Sequence, residues 1–348
     1  MACRCCIIPD DVLLRFASDP DLSDETRQAL HHTAALSDQI RALRQQNAAL
    51  TLAAIQLPIA KGASNAALPQ ALPAAHIFDC HHTMTLPGAQ VANPGSSTTG
   101  TIKRAYGESE NVAKFYWDIF QRDSIDGNHM TLVSSVHYGV KYNNAFWNGA
   151  QMTYGDGDGQ IFLDFTRGND VICHELTHGV TQHSLGLAYS GEAGGLNESM
   201  SDVFGSMFRQ WEKRQDVHQA DWLIGADIMG PLAHKKGFTG LRDMAAPDSA
   251  HAMAPQPAHY YPGIGNLDPH SSSGPPNLAF YKAAKAIGGH SWEKAGKIWY
   301  RALTTAPATP NMKMAQFAAR TRTSAKSLFP DDASIHTAVD NAWTAIGL

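Results

Sequence analysis

The chain has 348 residues, enough for two domains of ordinary size and a short extension. Its formal net charge is −5 with no basic tract, which argues against nucleic-acid binding. No run of about 18 apolar residues is present, so no membrane-spanning helix is expected. The five cysteines, Cys3, Cys5, Cys6, Cys80 and Cys173, are odd in number and clustered, a poor disulfide framework. No second Cys/His pair stands at zinc-ribbon spacing from the first three. The opening MACRCCIIPDDVLLRF lacks the long apolar core and small-residue cleavage site of a secretory signal. The expectation is a cytoplasmic precursor with reduced thiols, released, if at all, by a non-classical route.

In chain order, residues 1–50 read as a small separate unit. Pro20 and Ser23 precede a helical stretch with Asp24 and Glu25 in its first turn, and Leu36, Ile40 and Leu43 share a face. Residues 51–78 are rich in Ala and Pro and read as an exposed linker. Residues 79–187 read as a β-rich domain ending in a helix. Strands are expected at Met130–Val136 and Ile161–Phe165, with one helix near Glu110–Phe120. Residues 188–348 read as helical. From residue 170 onward, helices are expected at 170–184, 195–213, 277–287, 292–305, 312–325 and 333–346. The class implied is α+β, a β-rich N-terminal half and an α-helical C-terminal half with the site in the cleft between.

The segment Asp170-Val-Ile-Cys-His174-Glu175-Leu-Thr-His178 carries the chemistry. Four residues is just over one helical turn, so His174 and His178 project from one face and can chelate one ion. Glu175 flanks that face, where a general base is needed. A five-residue pattern also arises by chance, as two histidines on a helix surface.

The following segment, Gly194-Gly-Leu-Asn197-Glu198-Ser-Met-Ser-Asp202, makes chance a poor account. Catalytic zinc takes three protein ligands and keeps one position open; Glu198 can be the third. Asp202, one turn later, can accept from the free ring N–H of a metal histidine. Two acids on a face rich in Met200, Val203, Phe204 and Met207 are costly without a partner. A metzincin would need Gly at 181 and His at 184; this chain has Thr181 and Ser184. His183 reads as an ordinary surface or interface histidine.

These motifs resemble the thermolysin family of zinc metallopeptidases, whose His₂Glu ligand set is well known. The resemblance covers about residues 80–348. It rests on Tyr142-Asn-Asn-Ala-Phe-Trp-Asn148, Tyr154-Gly-Asp-Gly-Asp-Gly159, the two helix motifs and Asp268-Pro-His270-Ser-Ser-Ser-Gly274. It implies a two-domain zincin, a neutral zinc endopeptidase cutting on the amino side of bulky apolar residues. By the same resemblance Asn144 and Ala145 hold substrate backbone and Arg242 binds a substrate carbonyl. Tyr189 and His270 steady the oxyanion, with Asp268 orienting His270.

Residues 1–50, with Cys6-Ile-Ile-Pro9, resemble the short propeptide of protealysin-like members, implying a zymogen whose own N-terminus is a partner besides protein or peptide substrate. The family motif tends to have a second Pro where Asp10 stands. A thiolate from Cys3, Cys5 or Cys6 is one conceivable occupant of zinc's open position. The family's calcium cluster is matched by Asp170, Asp221 and Asp227, but Arg209, Leu223 and Ala226 replace carboxylates, so calcium is doubtful and Arg209 is expected to pair with Asp170 or Asp221. Asp156-Gly-Asp-Gly-Gln160 reads as a turn, and Cys173 as a small buried hydrophobe. The alternatives are a catalytically silent peptide- or partner-binding metalloprotein and an aminopeptidase.

Overall fold

The computed structural model describes residues 6–37 and 72–348. After a short extended entry, Pro9 precedes helix α1 (Asp10–Ala17), whose first turn carries Asp10 and Asp11, complementing the helix dipole. Val12, Leu13, Phe16 and Ala17 form its buried face. Helix α2 covers 24–37 and buries Leu30 and Ala34. This N-terminal unit packs on the body. Lys236 reaches Asp19 at 2.7 Å and Lys141 reaches Glu25 at 2.6 Å, and Phe16 meets Phe238 edge-on. Leu36 packs against a small cluster of Cys6, Cys80, Tyr138, Tyr142 and Phe146. Ile40 and Leu43, together with residues 51–71 of the expected linker, lie outside the described residues.

Five strands make one sheet: β1 (Ala75–Asp79), β2 (Ala89–Gln90), β3 (Leu132–Val136), β4 (Ala145–Trp147) and β5 (Met152–Tyr154), in the order β2-β1-β3-β5-β4. β1, β3 and β5 run parallel. β4 returns antiparallel along β5, Ala145 opposite Tyr154, and forms one edge. Helix α3 (Gly100–Phe120) lies in the crossover that a parallel pair requires.

Three expectations are corrected here. β1 begins in the stretch read as linker; its alternation of buried Ala75 and Ile77 with exposed His76 was hidden by Ala/Pro-rich surroundings. α3 starts at Gly100 rather than near Glu110, because its first buried positions are the modest Thr101, Ile102, Ala105 and Ser109. Ile161–Phe165 is no strand. Its backbone bonds instead to a loop of the C-terminal half, Leu163 N–H to the Ile228 carbonyl at 2.9 Å and Gly230 N–H to the Ile161 carbonyl at 2.8 Å.

Helices α4 (Asn169–Gln182) and α5 (Gly191–Lys213) then lie side by side. Gly205 permits their close approach, since a Cβ there would stand 2.7 Å from the Asp170 carbonyl oxygen. A two-stranded pair follows, β6 (Leu223–Ile224) with β7 (Arg242–Asp243), flanking the short α6 (Pro231–Lys235). The rest is α7 (Pro269–Ser272), α8 (Gly274–Ile287), α9 (Lys294–Thr304), α10 (Met314–Leu328) and α11 (Ala333–Thr344). Among the described residues no helix is long and apolar enough to cross a membrane.

Candidate active site

The facing sides of α4 and α5 bring three donors together. His174 Nε2 and His178 Nε2 are 3.2 Å apart. Glu198 Oε2 is 3.4 Å from the first and Oε1 3.4 Å from the second. Metal–ligand bonds of 2.0–2.1 Å at tetrahedral angles would separate ligand atoms by about 3.3 Å, close to the imidazole–imidazole spacing and to the distance from each imidazole to the carboxylate oxygen that faces it. The burial argues the same way. Glu198 is fully buried, yet neither carboxylate oxygen accepts a hydrogen bond. A buried acid with two imidazoles and no donor is costly unless a cation completes it.

The surrounding groups fix both rings. His174 Nδ1 meets Asp202 Oδ1 at 2.9 Å. Asp202 also receives the Arg242 guanidinium at both oxygens, at 2.7 and 2.8 Å, and the Asn277 amide at 2.8 Å. Burial alone pushes the Asp202 carboxyl up, but Arg242 and His174 outweigh it and hold it well below the usual range. Burial likewise opposes charge on His174, but Asp202 and Glu198 outweigh it and raise its pKa to about 9. The pocket is thus built to hold positive charge. His178 Nδ1 faces Asn197 Oδ1 at 2.9 Å and Ser201 Oγ at 3.0 Å. Asn197, Ser201 and Asn277 were missed from sequence. Asn197 and Ser201 lie four apart on the Glu198–Asp202 face, a signal that was present, whereas nothing local marks Asn277.

Glu175 Oε2 accepts the Trp147 N–H of β4 at 2.8 Å, which sets the carboxylate beside the edge strand. Tyr189, in the loop between α4 and α5, is buried with its ring edge-on to His178. Asp268 caps α7, accepting from His270 N–H at 3.0 Å and facing His270 Nδ1 at 2.7 Å. His270 Nε2 is 3.5 Å from Glu198 Oε2.

Residues 6–8 occupy the cleft along β4. Ile7 N–H donates to the Ala145 carbonyl at 3.1 Å, and Cys6 bridges antiparallel to Phe146. Asn144 receives the Ile8 N–H and donates to its carbonyl, both at 3.0 Å. Arg242 Nη1 donates to the Ile7 carbonyl at 3.2 Å, and His270 Nε2 meets the Cys6 carbonyl at 2.7 Å. The thiolate idea is corrected for Cys6: its side chain packs with Cys80, Tyr138, Tyr142 and Phe146 and, among the described residues, is in neither metal-ligand group. Cys3 and Cys5 lie outside the described residues.

Beyond the cleft, Arg209 lies among three carboxylates, Asp221 at 3.1 Å, Asp227 at 3.2 Å and Asp170 at 3.5 Å. Cys173 is fully buried between α4 and α5, its thiol facing the Phe204 carbonyl at 3.5 Å. Asp158 Oδ1 receives Gln160 N–H and Ile161 N–H and forms a turn.

A His₂Glu centre on two antiparallel-packed helix faces, at the foot of a cleft between a β-rich and a helical half, defines a zincin-type metallopeptidase. Residues 78–182 match the family model for the thermolysin metallopeptidase catalytic domain, and 185–348 the model for its alpha-helical domain. An extracellular metalloprotease of Pectobacterium carotovorum subsp. carotovorum is 42% identical over 283 residues, covering 78% of this chain and 80% of its own. A thermolysin of Alicyclobacillus acidocaldarius subsp. acidocaldarius is 36% identical over 288 residues, covering 78% of this chain and 50% of its own. The solved precursor of protealysin, a metalloproteinase from Serratia proteamaculans, superposes with a TM-score of 0.82 at 36% identity, over 98% of this chain and 99% of that one. The chain belongs to the thermolysin family of metallopeptidases and is similar to its protealysin-like members.

Proposed function

We propose that this chain is a zinc endopeptidase made as a self-blocked zymogen, cutting on the amino side of bulky apolar residues. The course of residues 6–8 carries the reading. Their backbone engages Ala145, Asn144, Arg242 and His270 as an added strand, the mode by which an extended peptide joins a sheet edge. Backbone groups are common to all peptides, so a substrate would meet the same partners. Ile7 and Ile8 are fully buried, which supports an apolar preference.

His174, His178 and Glu198 would hold zinc, which supplies a Lewis acid and an acidified water. Glu175 takes the proton of the attacking water and delivers one to the leaving amine. His270, oriented by Asp268, and Tyr189 donate to the developing oxyanion. Asn144, Ala145 and Arg242 hold the substrate backbone. At the Asp170 corner the Arg209 guanidinium stands in place of calcium; a calcium ion bound to Asp170 in solution would overturn that part.

The test is to incubate the purified zinc-replete chain with a mixed peptide pool and follow intact mass and products together. Loss of the N-terminal segment, a rise in hydrolysis, and products beginning with bulky apolar residues are expected. A full-length chain that is fully active and never trimmed defeats the zymogen reading. No hydrolysis after trimming favours the silent peptide-binding alternative, and products released only from free amino termini favour an aminopeptidase.

A further inference from the structure

The three parallel strands end side by side, and each is followed within a few residues by a metal-binding side chain. His82 follows β1, His137 follows β3 and Asp156 follows β5. The strand ladder continues past the strands and locks the three exits together. Cys80 N–H donates to the Val136 carbonyl at 2.9 Å, His82 N–H to the His137 carbonyl at 2.8 Å and Tyr138 N–H to the Tyr154 carbonyl at 3.1 Å.

Both imidazoles turn Nδ1 onto one carboxylate. His137 Nδ1 is 2.9 and 3.0 Å from the two Asp156 oxygens, and His82 Nδ1 is 3.3 Å from Oδ2. One donor atom from each of the three residues lies within 4.8 Å of the others. A single His–Asp hydrogen bond would account for His137. It leaves unexplained why His82, whose side chain is 58% exposed and otherwise free to turn to water, faces the same acid.

We propose that His82, His137 and Asp156 form a second metal site, separate from the His174–His178–Glu198 centre, that takes a divalent transition ion such as zinc. Two imidazoles and one carboxylate suit borderline ions and disfavour calcium and magnesium, which seek oxygen. The observed nitrogen–oxygen spacings approach the roughly 3.3 Å edge of a tetrahedral zinc site. The exposed side of His82 leaves solvent to complete the coordination. An ion there ties the turn after β1 to the exits of β3 and β5. Tyr138, next to His137, packs in the same cluster as Cys6, so the clasp braces the wall on which the N-terminal segment rests.

The test uses the full chain dialysed against micromolar free zinc, with bound metal counted by mass spectrometry. A second equivalent is expected in the native protein and only one in His82→Ala and in Asp156→Asn. His82 is exposed, so its variant keeps the fold. A native protein that retains a single equivalent, or a second equivalent that survives in both variants, overturns the site. Metal content is read without substrate, so the outcome is independent of the peptidase reading.

Discussion

The Nε2 atom of His270 lies 2.7 Å from the carbonyl oxygen of Cys6, while Nδ1 of the same ring lies 2.7 Å from Asp268 Oδ1. Both neighbours are acceptors, an arrangement that favours a proton on each ring nitrogen. Burial resists that charge, but Glu198 and Asp268 outweigh it and raise its pKa. A ring N–H aimed at a peptide carbonyl is what a developing oxyanion needs, and here the carbonyl of Cys6 occupies it.

Weakening that segment should raise the activity of the untrimmed protein. Ile7 is fully buried, and burying such a side chain is worth about 1.5–3 kcal/mol. Ile7→Asp should therefore raise early peptide hydrolysis roughly tenfold or more. Initial rates, with intact mass confirming that the chain is still whole, check this. An unchanged rate would mean that the segment does not hold the cleft shut.

Glu175→Gln keeps the size of the side chain and its contact with β4 while removing the base. Zinc content should be unchanged and kcat should fall by about a hundredfold or more. The paired measurement separates loss of chemistry from loss of metal.

Asp202→Asn should act on the metal and the fold at once. It leaves the fully buried Arg242 without its counter-charge, which costs about 3–5 kcal/mol where one partner of a buried pair is removed. It also weakens the acceptor on His174, and such changes typically lower metal affinity about 10- to 100-fold. Chelator competition and thermal unfolding should both register the change.

Glu108 and Glu212 give a pH signature. Burial first, then the Glu212 carboxyl, raises the Glu108 pKa from 4.5 to about 8. Asn111 and Asn169 hold Glu212 at 2.7 and 2.6 Å. Between those two pH values the folded protein keeps a proton that the unfolded chain has lost. This pair therefore lowers stability as pH rises from about 4.5 to about 8, with no further change above. Glu108→Gln should remove that slope and gain stability over the native chain at pH near 9 relative to pH near 4. Melting both proteins at the two extremes, in the Glu175→Gln background, decides it; equal slopes would refute it.

Much of the centre was legible because its spacing is local. His174, Glu175 and His178 sit within two turns of one helix, and Glu198 and Asp202 within two turns of the next. The helix was read at 170–184 and runs Asn169–Gln182, although every residue from Asp170 to Thr181 is buried and no polar face marks it. β1 vanished into Ala/Pro-rich sequence. Ile161–Phe165 looked like a strand because burial alone makes a run apolar, whereas its backbone partners lie in a distant loop. Asp156 read only as part of a turn. Its pairing with His82 and His137 depends on three strands ending together, which no local pattern records. Arg242 was expected on a peptide carbonyl; that it simultaneously neutralises Asp202 could emerge only when β7 was set against α5.

Asp19, Glu25 and Phe16, which engage Lys236, Lys141 and Phe238, all lie before residue 38. A nick anywhere downstream of them leaves that grip untouched. Severing the tether and vacating the cleft are therefore distinct events. If the chain is a zymogen as proposed, the freed fragment would be a dissociable ligand of the enzyme it came from, and its hold should slacken on dilution.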